Sequence, residues 1–211
     1  YIEALIRAKQ LKDARRILKK SKKKDFSKNL LNKLETQINS DDKKVKINQV
    51  KNLSKDTLLL SLIDYFNNGK FEEAEQLAKL VTKEYPTMPV GWKLLGVLLQ
   101  NSGKLNEALE ANKKCVQLTP DDAEAHNNLG ITFQSLSKLN DAEESISRAI
   151  ALKPDFTEAY FNLGITLNDL GKLAKAETSY LEAIKLKPNH WNAHFNLGSI
   201  MQNSGRLDRA E

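Results

Sequence analysis

The sequence predicts an all-α fold in which antiparallel pairs of helices stack side by side. A 34-residue internal repeat runs through most of the chain, and such periods are typical of stacked helical units. Apolar residues recur at helical spacing within each repeat. Glycine (9) and proline (5) are sparse, which disfavours a turn-rich β fold. No apolar run approaches the roughly 18 residues of a membrane-spanning helix.

A Leu-Gly dipeptide marks each repeat. Helices that cross closely need a small residue at the crossing, so we predict that this glycine lies inside the first helix of each pair (helix A) and faces a recurrent alanine of the second (helix B). Both ladders keep the 34-residue step: Gly96, Gly130, Gly164 and Gly198; Ala74, Ala108, Ala142, Ala176 and Ala210.

The ends of the helices carry their own signals. Glycine fits the left-handed residue that ends helix A, and it recurs at the same step except where Ser137 replaces it. A proline ladder (Pro86, Pro120, Pro154 and Pro188) follows helix B and stops it. We predict that the next helix A is capped by Asp121, Asp155 or Asn189.

These coincident ladders resemble the tetratricopeptide repeat. The resemblance covers repeats at 55–88, 89–122, 123–156, 157–190 and a truncated 191–211. It implies an α-solenoid, a right-handed superhelix whose helices A line a concave groove that binds other polypeptides. In the first repeat Ser61-Leu62 replaces Leu-Gly, and we expect Leu62 to push its two helices apart or to repack them.

A narrower resemblance lies in the strings Ala125–Gly130, Ala159–Gly164 and Ala193–Gly198. They are similar to the repeats of O-linked N-acetylglucosamine transferases and to arrays ahead of bacterial glycosyltransferase, sulfotransferase or oxygenase domains. Two functions therefore remain open. The chain is a non-catalytic scaffold that binds an extended peptide, or it is the substrate-recognition arm of a larger enzyme whose catalytic domain lies outside this fragment.

The candidate peptide-binding residues are Asn128, Asn162 and Asn196, which occupy one helix A position in three successive repeats. A side-chain amide offers an acceptor and two donors, which suits the backbone of an extended peptide. In the transferases that the chain resembles, asparagines at this position hold peptide backbone. Phe161 and Phe195 lie beside the asparagines, either as peptide anchors or as core residues.

A second group of tetratricopeptide proteins binds acidic chaperone C-termini through a clamp of Lys, Arg and Asn. Lys93 matches one position of that clamp. Its other basic positions hold residues that are not basic, so we do not expect a clamp of this kind. These residues are Leu94, Glu124, Asn128, Glu158 and Asn162.

The remaining chemistry is predicted to be structural. His190 and His194 are four residues apart, as metal ligands on one helix would be, but no further ligand joins them. Cys115 takes a small helix B position and is the only cysteine, which suits a reducing, cytoplasmic setting. We predict no catalytic residue, metal site, cofactor or small-molecule substrate.

The first 54 residues form a separate, basic part. They hold 16 Lys and Arg against 6 Asp and Glu, a formal charge of +10 against −4 for the rest. We interpret residues 1–38 as a degenerate repeat with a capping helix, and 39–54 as a linker. A basic run gives a third, weaker hypothesis of binding to nucleic acid or an anionic membrane. This run comprises Lys19, Lys20, Lys22, Lys23 and Lys24.

Overall fold

The computed structural model describes residues 54–203. The predicted degenerate repeat, the linker up to residue 53, the basic run and the end of the last repeat lie outside these residues. The chain divides into two compact units, Tyr1–Ser61 and Leu62–Glu211.

All secondary structure within residues 54–203 is helical, which confirms the predicted all-α class. The helices alternate between A and B types along the chain, each type keeping its place in the repeat. The A helices are α1 (Lys55–Asn67), α3 (Pro89–Asn101), α5 (Ala123–Ser135), α7 (Thr157–Asp169) and α9 (Trp191–Asn203). The B helices are α2 (Phe71–Glu84), α4 (Leu105–Leu118), α6 (Leu139–Leu152) and α8 (Leu173–Leu186).

Neighbouring helices pack in the order of an α-solenoid. Helix A of a repeat packs against its own helix B, as in the pairs α3–α4, α5–α6 and α7–α8. Each helix B from α2 onward then packs against the A helix of the next repeat. The A helices also contact one another, α3 with α5 and α5 with α7, so they form one continuous layer. Within the described part of the chain, no helix has the length and apolar character needed to cross a bilayer.

The turns between helix A and helix B confirm the predicted left-handed residue. Gly69, Gly103 and Gly171 have φ of 69°, 74° and 71°, and Ser137 takes φ 58° at the matching place. A side chain in this conformation costs about 1–2 kcal/mol. Ser137 is therefore a strained position in an otherwise regular series.

Replacing Ser137 with glycine should stabilise the protein. We expect Ser137→Gly to raise the free energy of unfolding by about 1 kcal/mol, because the relieved strain exceeds the extra entropy of an unfolded glycine. Ser147→Gly, at an exposed place inside α6, should instead lower it by about 0.5–1 kcal/mol. Urea denaturation measures both changes. A loss of stability in Ser137→Gly would show that the serine side chain contributes more than its conformation costs.

The side chain nearest to the helix A glycine is not that of the predicted alanine in the repeats of Gly96, Gly130 and Gly164. A Cβ built on Gly164 would lie 2.5 Å from Cε1 of Tyr180, and one on Gly130 would lie 2.4 Å from Cγ1 of Ile146. The facing residue thus comes four positions after the alanine, one turn further along helix B. The prediction that alanine meets the glycine is confirmed only in part: the carbonyl oxygen of Ala142 lies 3.3 Å from a Cβ built on Gly130, but the nearest side chain comes from one turn further along helix B.

The first repeat exchanges the sizes of the two facing positions. Leu62 holds the glycine position and Ala78 holds the position of Tyr180. Both side chains are fully buried. By sequence register, a large residue on helix A thus pairs with a small one on helix B, which keeps the summed volume of the two positions close to that of the other repeats. Both expected effects of Leu62 stay predictions.

The predicted helix caps are displaced by one residue. The N-cap of α5 is Asp122, whose carboxylate accepts hydrogen bonds from the backbone N–H groups of Glu124 and Ala125. The N-cap of α7 is Phe156, which has no side-chain cap. The predictions of Asp121 and Asp155 are therefore wrong by one position. The preceding turn causes this shift, since the Asp122 N–H still donates to the carbonyl of Thr119.

A recurrent hydrogen bond ties helix A to the turn before it. The ring nitrogens of Trp92, His126 and His194 each lie 2.8–2.9 Å from the carbonyl oxygen of the proline six residues earlier. A carbonyl oxygen only accepts hydrogen bonds. Both histidines therefore donate from Nε2, as the indole of Trp92 does at the same place. His190 differs, because its Nδ1 accepts the N–H of Ala193 at 3.3 Å. The hydrogen bonds of His190 and His194 are thus structural ones.

Candidate peptide-binding face

The three predicted asparagines lie on the layer of A helices, one repeat apart. Asn128 is on α5, Asn162 on α7 and Asn196 on α9, and all three are half-buried. Each therefore has part of its side chain open to solvent while its helix is held by the packing around it.

Two of the three side-chain amides are oriented by a hydrogen bond. Nδ2 of Asn162 donates to Oδ1 of Asn127 at 3.1 Å. Nδ2 of Asn196 donates to the hydroxyl of Tyr180 at 3.3 Å. Each bond uses one of the two N–H donors and leaves the other donor and the oxygen. The amide of Asn128 makes no hydrogen bond to residues 54–203. The row thus presents unused donors and acceptors on three adjacent A helices.

The two predicted phenylalanines lie in different surroundings. The Phe161 ring is half-buried, with its centroid 6.0 Å from that of Tyr180 and 4.8 Å from that of His190. Phe195 holds the same helix position but is 72% exposed. The position one repeat after Tyr180, which would pack against this ring, lies outside the described residues. The exposure of Phe195 is therefore no evidence of a binding role.

A buried polar group beneath the asparagine row was not predicted from the sequence. Asn112 on α4 is 1% exposed, and its Nδ2 donates to the hydroxyl of Thr132 at 2.8 Å. That hydroxyl lies 2.9 Å from the carbonyl oxygen of Asn128 and 3.3 Å from Oε1 of Gln100. The group therefore links α3, α4 and α5. The signal was in the sequence, since Asn112 stands where later repeats have Ile146 and Tyr180.

The lysine that matched the chaperone clamp already forms ion pairs within the protein. Nζ of Lys93 lies 2.6 Å from Asp122 and 3.1 Å from Glu124. Burial alone would lower the pKa of Lys93, but the two carboxylates outweigh it and raise that pKa. Burial would raise the pKa of Asp122, yet hydrogen bonds from Lys93 and Ala125 leave it below its usual value. Lys93 therefore stays charged and bound within the protein.

Cys115 is a packed thiol. Its side chain is fully buried, and Sγ lies 3.7 Å from the carbonyl oxygen of Pro89. Burial raises the pKa of this thiol. Nucleophilic attack requires the thiolate, so the surroundings of Cys115 oppose reactivity.

The fold defines a helical-repeat protein with the scaffold architecture of an α-solenoid. The chain belongs to the tetratricopeptide repeat family. Models of the tetratricopeptide repeat match residues 123–156, 157–190 and 179–211, and a further model of the same repeat matches residues 99–137.

Solved structures of other tetratricopeptide proteins are similar to this chain. MamA is 30% identical over 70% of this chain and 86% of its own, with a TM-score of 0.65. The first tetratricopeptide domain of Spaghetti (RPAP3), bound to the HSP90 peptide SRMEEVD, is 27% identical over 56% of this chain and 93% of its own, with a TM-score of 0.54. TTC0263, a thermophilic protein of Thermus thermophilus, shares the fold at 23% identity, covering 74% and 86% of the two chains, with a TM-score of 0.63. A comparison with curated protein sequences found no relative.

Proposed function

We propose that this protein is a non-catalytic scaffold that binds an extended peptide along its A helices. The observation that carries the proposal is the row of Asn128, Asn162 and Asn196, whose amides keep unused donors and acceptors. A cytoplasmic setting is part of the proposal, since the single, buried Cys115 suits a reducing compartment.

The amide row supports recognition of main chain rather than of a particular sequence. An extended peptide has a free N–H and C=O at each residue, and an amide side chain can pair with both. The bonds from Asn162 to Asn127 and from Asn196 to Tyr180 fix two of the amides before a peptide arrives. Such preorganisation lowers the entropy lost on binding.

The test is removal of the row. We expect Asn128→Ala, Asn162→Ala and Asn196→Ala combined to weaken binding of peptides selected from a random decapeptide array by at least about tenfold. Three lost hydrogen bonds at about 0.5–1.5 kcal/mol each give this size. Fluorescence anisotropy with the selected peptides measures the change.

The matched control removes asparagines from the B helices. Asn106 and Asn140 are exposed and lie at the beginnings of α4 and α6, so Asn106→Ala with Asn140→Ala should leave affinity unchanged. Circular dichroism checks that every variant is folded. If the folded triple variant binds the selected peptides as tightly as the unaltered protein, the proposal is wrong.

A second candidate is the substrate-recognition arm of a larger enzyme. It is supported by the similarity of the Asn-containing strings to the repeats of O-linked N-acetylglucosamine transferases, and it uses the same face. Sulfotransferase and oxygenase parents are alternatives of the same kind. Reading the coding sequence on both sides of residues 1–211 tests it, since a catalytic domain in the same frame would support the arm and its absence would favour the scaffold.

A further inference from the structure

Positive charge is nearly missing from the layer of A helices. Lys93 is the single Lys or Arg in α3, α5, α7 and α9 taken together. Both Asp122 and Glu124 hold it in ion pairs. The same four helices carry the carboxylates of Glu124, Glu158 and Asp169. The one Lys or Arg residue of these four helices is therefore already ion-paired before a peptide binds to this face.

Among the carboxylates of α3, α5, α7 and α9, Glu158 and Asp169 form no ion pair with residues 54–203, and Glu158 is the one within a single helical turn of Asn162. It holds the same helix position as Glu124, one repeat later. Glu124 reaches Lys93 of the preceding A helix, but the residue matching Lys93 in the next repeat is Asn127, which is neutral and buried. Glu158 is exposed and forms no ion pair with any residue from 54 to 203.

Glu158 also lies on the same side of α7 as Asn162. Residues four apart are neighbours on a helix surface, so the carboxylate lies beside an amide whose Nδ2 is fixed by Asn127. A peptide whose main chain pairs with the asparagine would carry its side chains past the glutamate. The face thus combines neutral amides that can bind main chain with the unpaired negative charge of Glu158 beside them.

We infer that the peptide bound here is cationic, with a Lys or Arg side chain that pairs with Glu158; this rests on the proposed function. The peptide in the RPAP3 complex, SRMEEVD, contains three acidic residues and one arginine. An acidic peptide of that kind would bring negative charge towards Glu158, and α3, α5, α7 and α9 hold no unpaired lysine or arginine to receive it. Complementary charge contributes more to the choice of partner and to the register of binding than it does to affinity.

The experiment is a random decapeptide array probed with the folded protein at low salt. We expect the bound peptides to be enriched in Lys and Arg and depleted in Asp and Glu. For a selected peptide, Glu158→Gln should weaken binding about two- to fivefold, the size of an exposed ion pair. High salt should shrink that difference. Replacing the lysine of the peptide with glutamine should weaken binding to the unaltered protein by the same factor of about two to five. The same replacement should not weaken binding to the Glu158→Gln variant any further.

The matched control is Glu144→Gln, at an exposed carboxylate of α6 on a B helix, which should leave the enrichment unchanged. Two results would overturn the inference and leave the proposed function standing, provided that binding depends on the three asparagines. The bound peptides could show no charge preference, or they could show a preference for Lys and Arg that Glu158→Gln does not reduce. No bound peptide, or binding indifferent to the asparagines, would overturn both.

Discussion

Tyr180→Ala is expected to lower the free energy of unfolding by about 3–5 kcal/mol, the usual cost of deleting a buried aromatic ring. Tyr180 is 1% exposed and is one of the largest fully buried side chains of the described residues. Its ring faces Gly164 at the crossing of α7 and α8, and it packs against Phe161. Removing it would leave a cavity between the two helices. Urea denaturation followed by circular dichroism gives the change.

The conservative variant separates the ring from its hydroxyl. Tyr180→Phe keeps the packing and removes the acceptor of the Asn196 amide, so we expect a loss of only about 0.5–1.5 kcal/mol. Burial raises the pKa of the Tyr180 hydroxyl, so the group is protonated throughout the neutral range and the comparison holds there. Equal losses in the two variants would show that the hydroxyl, and not the ring, supports this crossing.

A double-mutant cycle tests whether Gly164 and Tyr180 are matched in size. Gly164→Ala alone should destabilise the protein, because overpacking costs about 1–3 kcal/mol while the gain in helix propensity is about 1 kcal/mol. In the Tyr180→Ala background the added methyl group meets empty space. The two changes should therefore be less costly together than their sum by about 0.5–3 kcal/mol. Additive losses would contradict the contact.

The repeat could be predicted from sequence because its signals are local. The left-handed turn could be predicted because Gly69, Gly103 and Gly171 adopt positive φ without steric cost. The prolines end the B helices because their rings lack an N–H donor and clash with the preceding turn. The partner of each helix A glycine could not be predicted in this way. It depends on where two helices cross, which brings the side chain of Ile146 closer to Gly130 than any atom of Ala142 in the third repeat.

The asparagine row had the same mixture of predictable and unpredictable features. Its place on one helix position follows from the 34-residue step. The hydrogen bonds of Asn162 and Asn196 do not, because their partners Asn127 and Tyr180 lie in the preceding repeat and depend on side-chain rotamers. The pairing of Lys93 with Asp122 and Glu124 was missed for the same reason, and it decides the charge of the face.

Asn112→Asp is expected to cost several kcal/mol at neutral pH although it hardly changes the size of the side chain. Asn112 is 1% exposed and donates to Thr132 and, at 3.4 Å, to the carbonyl oxygen of Asn128. A carboxylate cannot donate either bond and would be a buried charge without a cation. Burial raises a carboxyl pKa by up to about 3–5 units, at about 1.4 kcal/mol per unit.

The dependence of that loss on pH identifies its cause. The introduced carboxyl has a folded-state pKa above its unfolded value of about 3.9, so the unfolded state loses its proton first as pH rises. The deficit relative to the unaltered protein should therefore be full above the folded-state pKa and shrink by up to about 1.4 kcal/mol per pH unit below it. Asn106→Asp, at an exposed place on α4, should show neither effect. A deficit in Asn112→Asp that stays constant from about pH 7 to about pH 4 would mean that lost hydrogen bonds, and not a buried charge, destabilise the variant.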